Sequence, residues 1–134
     1  MLMSPTPQTG RLGSILAIDD EAEVVALITD YFSEAGYQVV GADHGGDGIM
    51  LAEFERPDVV VLDLMMPGID GLEVLQQLRR RWPGLPVIML TGVGDVNIAK
   101  EALRCGAFDY VQKPFAWEHL ERVVAAALTA EAPA

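Results

Sequence analysis

The stretch DVVVLDLMMPG, residues 58–68, decides the fold of this chain. Four apolar residues run without interruption between two acids, and such a run is typical of a parallel strand that is buried on both faces. The run ends at Asp63, and the Pro67-Gly68 step shortly after it predicts a turn. We therefore predict a central strand over residues 58–63 that carries a carboxylate at the point where its burial stops.

Apolar runs and helical periodicity alternate along the rest of the chain. Short apolar runs predict the strands, and apolar residues spaced three and four positions apart predict the helices, the first four of which end at glycine or proline. The predicted strands are 14–18, 37–42, 58–63, 86–91 and 108–113, and the predicted helices are 21–35, 47–56, 70–81 with Asp70 as N-cap, 95–105 and 115–128.

The spacing of apolar residues also predicts which helix residues face the core. They are Val24, Leu27, Ile28 and Tyr31 in the first helix, Leu51 and Phe54 in the second, Leu72, Leu75 and Leu78 in the third, and Leu120, Val123, Val124 and Ala127 in the last.

Five strands that alternate with helices predict a parallel sheet with right-handed crossovers and helices on both faces. For a chain of this size we predict an α/β, flavodoxin-like (βα)5 three-layer sandwich with strand order 2-1-3-4-5. We assign residues 14–128 to this domain. Residues 1–13, rich in Pro, Gly and Thr, are expected to be a disordered leader, and residues 129–134 a tail or the start of a linker.

Composition excludes several classes of function. The 134 residues fit one domain, and the net charge of −11 disfavours direct binding of nucleic acid, which relies on Lys and Arg. The single cysteine, Cys105, cannot form an internal disulfide, in keeping with a reduced, cytoplasmic setting. The first residues lack the pattern of an export signal, and no apolar run reaches about 18 residues, so we predict no membrane span.

Acids follow two of the predicted strands, where this fold places its ligand site. Asp19 and Asp20 follow the first strand, and Asp63 ends the third. Two unit charges about 5 Å apart repel by roughly 3 kcal/mol at an effective dielectric constant of about 20, so three carboxylates together require a cation. Carboxylates, a backbone carbonyl and water are the usual ligands of Mg²⁺, and Met65 could supply the carbonyl.

The fourth and fifth predicted strands end near Thr91 and Lys113, which bring a hydroxyl and an ammonium to the same edge of the sheet. A carboxylate nucleophile with a metal ion, a hydroxyl donor and a fixed cation suits phosphoryl transfer. The residues therefore predict that Asp63 becomes an aspartyl phosphate. Taken singly, Asp19 and Asp20 would be read as helix caps, Thr91 as a turn residue and Lys113 as a solvated strand end.

Four motifs together resemble the receiver domain of two-component response regulators over about residues 14–128. They are ILAIDDE, VVVLDLMMPGIDG, VIMLTG and FDYVQKPF, in the order and at the spacing of that family. The stretch TGVGDVNIAKEALRCGAFDYVQKPF resembles most closely the receivers of regulators that carry an ATPase transcription-activation module.

The resemblance implies a metal site and a phosphoacceptor. It implies that Asp63 accepts the phosphoryl group, Asp20 binds Mg²⁺ directly, Asp19 acts through water and Met65 contributes its backbone carbonyl, with Mn²⁺ as a substitute ion. The protein would then catalyse its own phosphorylation and slow dephosphorylation, without turnover of a separate substrate.

The resemblance further implies a switch. Thr91 and Lys113 would contact the phosphoryl group, Tyr110 would change rotamer on activation, and the Lys113-Pro114 peptide would be cis. A histidine kinase or phosphotransfer protein would donate the phosphoryl group. The fourth helix, fifth strand and fifth helix would contact an output partner or a second copy of the chain, with no contact to nucleic acid or membrane by this domain.

Two positions near the site carry apolar side chains where a polar one could act on water. The positions two after Asp63 and two after Thr91 tune hydrolysis in the family, and here they are apolar, Met65 and Val93. Neither side chain can orient an attacking water, so we expect a long-lived phosphoryl state.

Three other classes of protein remain as alternatives to a receiver domain on the sequence alone. A haloacid-dehalogenase-like phosphatase would place Asp-x-Asp after its first strand, but Asp63-Leu64-Met65 lacks the second acid. A receiver-like module without phosphate turnover is disfavoured by the intact set of carboxylates, Thr91 and Lys113. A flavin-binding module needs a phosphate-cradling loop where this chain carries carboxylates. Two histidines, His44 and His119, are read as solvated, and Cys105 as partly buried.

Overall fold

The computed structural model describes residues 12–66, 69–92, 94 and 96–130, and its five long strands form one sheet. We number these strands β1 to β5 and the helices α1 to α5. The strands are Gly13–Ile18, Tyr37–Ala42, Val59–Asp63, Val87–Thr91 and Asp109–Gln112, and the helices are Ala22–Glu34, Gly45–Glu55, Gly71–Arg81, Val96–Arg104 and Trp117–Thr129.

The sheet has the predicted topology. Its strand order is β2-β1-β3-β4-β5, and every neighbouring pair is parallel. The flavodoxin-like prediction is therefore confirmed, with element ends that differ from the predicted ones by at most two residues. Two short strands, Met65–Met66 and Ile69–Asp70, pair antiparallel just beyond β3.

Some predictions concern residues outside the described ranges. The leader is described only from Leu12, and Gly13 already belongs to β1. The turn at Pro67-Gly68 and the residues after 130 also lie outside, although α5 continues to Thr129. Among the helices in the described ranges, none has the length and apolar character needed to span a membrane.

Strand β3 is buried on both faces, as its apolar run predicted. Val59, Val60, Val61 and Leu62 are fully buried, and Asp63 is 6% exposed. Burying a Val or Leu side chain contributes about 1.5 to 3 kcal/mol, so the four apolar residues of β3 together contribute about 6 to 12 kcal/mol to folding.

Two apolar cores cover the sheet, one on each face. Side chains alternate along β1, so Leu16 and Ile18 belong to one core, whereas Ile15 and Ala17 belong to the other. Helices α2, α3 and α4 pack on the first core, and α1 and α5 pack on the second. The predicted inward residues of the last helix, Leu120, Val123, Val124 and Ala127, are all buried.

Leu27 of α1 was predicted to face the core, and this prediction is wrong. Its side chain is 51% exposed, whereas Ile28 and Phe32 are fully buried. The apolar stripe of α1 is broad, and the sheet contacts the side of it centred on Ile28 and Phe32. Val24 and Tyr31 are partly buried at its margin.

Phe54 of α2 was also predicted to point inward, but it is 76% exposed. Helix α2 instead turns its small residues, Gly48 and Ala52, toward the sheet. A β-carbon at Gly48 would lie 2.4 Å from Cδ1 of Ile18, so the backbone of α2 sits directly on β1. Apolar periodicity ignores glycine and therefore misplaced Phe54, whereas Leu51 is partly buried against the core as predicted.

Gly71 offers a test of how tightly the end of β3 is packed. A β-carbon there would lie 2.4 Å from the carbonyl oxygen of Leu64 and 2.8 Å from that of Asp63. Because both neighbours are backbone atoms, we expect Gly71→Ala to lower the free energy of unfolding by about 1 to 3 kcal/mol in urea titrations followed by circular dichroism.

Gly84→Ala is the matched control, because a β-carbon at Gly84 meets no atom within 4 Å. This variant is expected to leave stability unchanged or to raise it by about 0.4 to 1 kcal/mol. Equal unfolding midpoints for the two variants would contradict the packing argument.

Candidate functional site

Asp19 and Asp20 come directly after β1, which ends at Ile18. Asp19 is 1% exposed, and its backbone N–H donates to the carbonyl of Ala42 at 3.1 Å. Its Oδ1 accepts a hydrogen bond of 2.9 Å from the backbone N–H of Glu21, just before α1 begins. Asp20 is exposed. The bond from Glu21 to Asp19 lies before α1, whose N-cap is Glu21 without a side-chain cap, so Asp19 is not the helix cap that its position alone suggested.

Asp63 brings a third carboxylate to the same place. It is the last residue of β3 and lies opposite Leu90 of β4, whose carbonyl accepts a hydrogen bond from Leu64 at 2.9 Å. Carboxylate oxygens of Asp19, Asp20 and Asp63 all lie within 4.8 Å of one another. The predicted convergence of the three acids is therefore present in the structure.

Lys113 holds its ammonium group among these acids. Its Nζ lies 2.9 Å from Oδ2 of Asp19, 3.6 Å from Oδ1 of Asp63 and 3.7 Å from Oε1 of Glu21. Burial alone lowers the pKa of the ammonium, but the hydrogen bond to Asp19 and the charges of the three nearby carboxylates together raise that pKa above its ordinary value. Lys113 is therefore a firmly protonated cation in this setting.

Glu21 is a residue that sequence reasoning placed only at the start of a helix. The structure brings its carboxylate within reach of Lys113, although its side chain is 65% exposed. Its position directly after the Asp-Asp pair was the available signal. An exposed ion pair at 3.7 Å contributes little to stability, so Glu21 modulates the charge of the site more than it holds Lys113 in place.

Thr91 and Tyr110 occupy neighbouring strands. Thr91 ends β4, is 2% exposed, and its carbonyl accepts a 2.6 Å hydrogen bond from the backbone N–H of Lys113. Tyr110 lies in β5 beside Met89 and is half-buried against the core under α2, α3 and α4. The structure thus places Thr91 at the edge of the sheet that carries Asp63. The roles of Thr91 and Tyr110 in switching stay predictions.

The remaining predicted site residues are placed as follows. Met65 lies in the short strand directly after the site and pairs with Asp70. The Lys113-Pro114 peptide is cis, as the resemblance implied. Val93 lies outside the described residues.

The donor set fits a hard divalent cation. Three carboxylates and one ammonium leave a net charge of −2, and two of the acids, Asp19 and Asp63, are almost fully buried. Mg²⁺ is usually held by one or two carboxylates with several waters, and the exposed Asp20 leaves a path to solvent for such waters.

A second group of possible ligands lies at the start of α2 and has a structural explanation. It consists of Asp43, His44 and Asp47, all exposed. His44 is the N-cap of α2, where its Nδ1 accepts a 3.4 Å hydrogen bond from the backbone N–H of Asp47 and its Nε2 lies 2.9 Å from the Asp47 carboxylate. These contacts explain why His44 and Asp47 lie close together: they cap the start of α2. His44 is exposed as predicted, and Cys105 is partly buried as predicted.

The chain is similar to known signalling proteins along most of its length. A family model described as the response regulator receiver domain matches residues 15–125. The regulatory protein AtoC of Escherichia coli (strain K12) is 39% identical over 117 residues, which cover 87% of this chain and 25% of AtoC. The chain therefore spans about a quarter of the length of that relative.

Solved structures show the same similarity. A response regulator receiver domain protein from Clostridium thermocellum superimposes with a TM-score of 0.84 at 32% identity, covering 87% of this chain and 94% of that one. The receiver domain of NtrX from Brucella abortus gives a TM-score of 0.84 at 32% identity, covering 87% and 99%. The chain therefore belongs to the receiver domains of two-component response regulators, a family whose standard function is that of a phosphorylation-activated switch.

Proposed function

We propose that Asp63 accepts a phosphoryl group from a phosphohistidine of a histidine kinase or phosphotransfer protein, with Mg²⁺ bound beside it. The observation that carries this proposal is the convergence of Asp19, Asp20, Asp63 and Lys113 at one edge of the sheet. An oxygen of Asp63 forms a bond to phosphorus while the bond between phosphorus and the donor imidazole nitrogen breaks, and the electron pair of that bond stays with the nitrogen.

The proposed metal roles follow from what each acid already contacts. Both oxygens of Asp19 have protein partners, Glu21 and Lys113, so Asp19 reaches the metal through water. Asp20 is exposed and binds directly, as does Asp63, and the Met65 carbonyl completes the protein ligands. When bound, Mg²⁺, or Mn²⁺ in its place, screens the negative charge of the carboxylates and of the incoming phosphoryl oxygens.

Lys113 and Thr91 are proposed to receive the phosphoryl group. The Lys113 ammonium is 3.6 Å from the Asp63 carboxylate, so a phosphoryl group on Asp63 would compete with Asp19 for the same cation. Thr91 is joined to Lys113 through its backbone, and its hydroxyl would bind another phosphoryl oxygen. Both contacts neutralise charge that the transferred group brings, which is how such sites accelerate phosphoryl transfer.

An apolar groove beside Lys113 supports docking of the phosphodonor near the site. The groove has a volume of about 380 Å³ and is lined by Val24, Leu27, Pro114, Phe115 and Trp117, with Lys113 at its border. The exposure of Leu27, which helix periodicity did not predict, gives this face an apolar character suited to a partner surface.

The output of the proposed switch is a change on the surface formed by α4, β5 and α5. Movement of Thr91 toward the phosphoryl group leaves room for Tyr110 to move, and the two positions are on adjacent strands. We propose that this surface contacts an output domain or partner, or a second copy of the chain, in the cytoplasm. In this role the protein is a phosphoacceptor and not an enzyme that turns over a separate substrate.

Asp63→Asn tests the phosphoacceptor. We expect the parent protein with acetyl phosphate and Mg²⁺ to gain one phosphoryl group by intact-mass spectrometry, and the variant to gain none, because an amide oxygen is not a comparable nucleophile. Asp30→Asn, an exposed change on α1, is the charge-matched control and should label like the parent. Full labelling of the Asp63 variant would contradict the assignment of Asp63 as the phosphoacceptor.

The lifetime of the phosphoryl group tests the two apolar positions near the site. We expect phosphorylated parent protein to lose phosphate more slowly than the Met65→Asn, Val93→Glu double variant, because polar side chains at these positions can orient an attacking water. Decay is followed by mass spectrometry after removal of acetyl phosphate. Equal or faster loss from the parent would count against this expectation.

Lys113→Met tests the charge balance of the site. Without Mg²⁺, loss of the ammonium leaves the buried Asp19 and Asp63 carboxylates without that cation, so we expect the free energy of unfolding to fall by about 1 to 3 kcal/mol. Saturating Mg²⁺ should recover part of the loss, because it binds only the folded site.

Lys100→Met is the matched control, since Lys100 is exposed on α4. It should change stability by less than about 0.5 kcal/mol with or without Mg²⁺. The charge argument fails if the two lysine variants respond alike to Mg²⁺.

A further inference from the structure

Glu21 adds a carboxylate beside the acidic site, and the phosphoryl transfer proposed for Asp63 gives that carboxylate no role. The backbone of Glu21 is fixed on both sides. Its N–H donates to Oδ1 of Asp19 at 2.9 Å, and its carbonyl accepts from the N–H groups of Val24 and Val25 at 3.0 and 3.2 Å. Glu21 is the N-cap of α1, yet its side chain makes no capping hydrogen bond. These contacts explain the position of the residue but not its charge.

The Lys113 ammonium has buried acids and this exposed acid around it. Its Nζ lies 2.9 Å from the carboxylate of Asp19, 3.6 Å from that of Asp63 and 3.7 Å from that of Glu21. The side chains of Asp19 and Asp63 are 1% and 8% exposed, whereas that of Glu21 is 65% exposed. Because two of the carboxylates are enclosed and the third is open to water, Glu21 lies on the solvent side of the ammonium.

Lys113 does not depend on Glu21 for its position. A distance of 3.7 Å is longer than an N–H···O hydrogen bond, and an exposed ion pair contributes little to stability. Asp19 already accepts a hydrogen bond of 2.9 Å from the ammonium. Glu21 therefore acts on the site through the electric field of its negative charge, on the side from which a phosphodonor must arrive.

The charge of the leaving group determines how this field acts on phosphoryl transfer. The attacking and leaving atoms lie roughly in line, on opposite sides of phosphorus. Because Asp63 is 6% exposed, the group that leaves opposite its oxygen emerges toward solvent, where Glu21 lies. A carboxylate leaving group gains negative charge there and is repelled by Glu21, whereas an amine or imidazole nitrogen leaves without negative charge.

We propose that Glu21 is a specificity-determining residue that disfavours acyl phosphates and so favours donors whose phosphoryl group is bound to nitrogen. The selection rests on the proposed function, in which Asp63 is the phosphoacceptor. From acetyl phosphate, the Asp63 oxygen takes the phosphoryl group while the P–O bond breaks and its electron pair leaves with acetate. From phosphoramidate, whose nitrogen is protonated, the P–N bond breaks and its electron pair leaves with neutral ammonia. Glu21 thereby protects the response to a phosphohistidine donor from acyl phosphates.

Glu21→Gln tests the selection by the ratio of two labelling rates. Parent and variant are treated with acetyl phosphate or phosphoramidate at saturating Mg²⁺ and equal, low ionic strength, and labelling is followed by intact-mass spectrometry. We expect the variant to react about three to ten times faster than the parent with acetyl phosphate, and less than about twofold faster with phosphoramidate. The gain should shrink as NaCl is added, because salt screens exposed charges. A change in folding or in Mg²⁺ binding would alter both rates together and leave their ratio unchanged.

Glu34→Gln is the matched control. Glu34 is an exposed acid at the other end of α1, about 20 Å along the helix from Glu21, and its substitution removes the same charge. It should change the ratio of the two rates by less than about 1.5-fold, because the distance exceeds the screening length in dilute salt. Glu21→Lys reverses the charge and should raise the ratio further than Glu21→Gln does.

Three outcomes would overturn the proposal while both donors label the parent. One is a ratio in Glu21→Gln that equals that of the parent, whether both rates rise or neither does. Another is an equal shift in Glu34→Gln, which would mean that only net charge matters. The third is a ratio in Glu21→Lys at or below that of the parent. Failure of the proposed function is a different result, because neither donor would then label the parent at Asp63, and the selection would fall with it.

Discussion

The burial of β3 on both faces is the constraint on which the rest of the structure depends. A strand covered by two apolar cores cannot shift its register without exposing valines to water, so its last residue is held in one place. That residue is Asp63. The acid is tolerated at 6% exposure because the ammonium of Lys113 lies 3.6 Å away. The stiffest element of the fold thus carries the group on which the proposed chemistry takes place.

The packing at the end of β3 and the charges around it act together. Glycine at position 71 lets the start of α3 approach the backbone of Leu64 and Asp63, so α3 packs directly against the end of β3. On the open side, three carboxylates and Lys113 form a cluster with a net negative charge. Such a cluster is strained by repulsion until a cation or a redistribution of Lys113 relieves it. A site of this kind responds to a new anionic group because the same cation cannot satisfy every acid at once.

Much of this site could be predicted from the sequence because parallel strands place their ends together. The order of Asp19, Asp63, Thr91 and Lys113 along the chain, each near the end of a predicted strand, was enough to bring them to one edge. The approach of Glu21 to Lys113 depends on side-chain torsions, which spacing does not encode. The exposure of Leu27 and Phe54 escaped prediction for a related reason. Periodicity finds an apolar stripe, but the glycines of α2 and the width of the stripe on α1 decide which part of it meets the sheet.

The left-handed Arg56 could not be read from the sequence at all, because the residue gives no local signal for positive φ. Only the structure shows this positive φ and places Arg56 beside a groove that Arg81 also lines, at the end of β3 away from Asp63. A strand of five residues spans about 16 Å, so this groove is not in contact with the carboxylate of Asp63. Helix α3 joins these two ends as β3 does, because it begins at Gly71 beside the backbone of Asp63 and ends at Arg81 beside the groove. The charge that a phosphoryl group would change lies at the acidic edge, where the carboxylates of Asp19 and Asp63 share the ammonium of Lys113, and not at this groove.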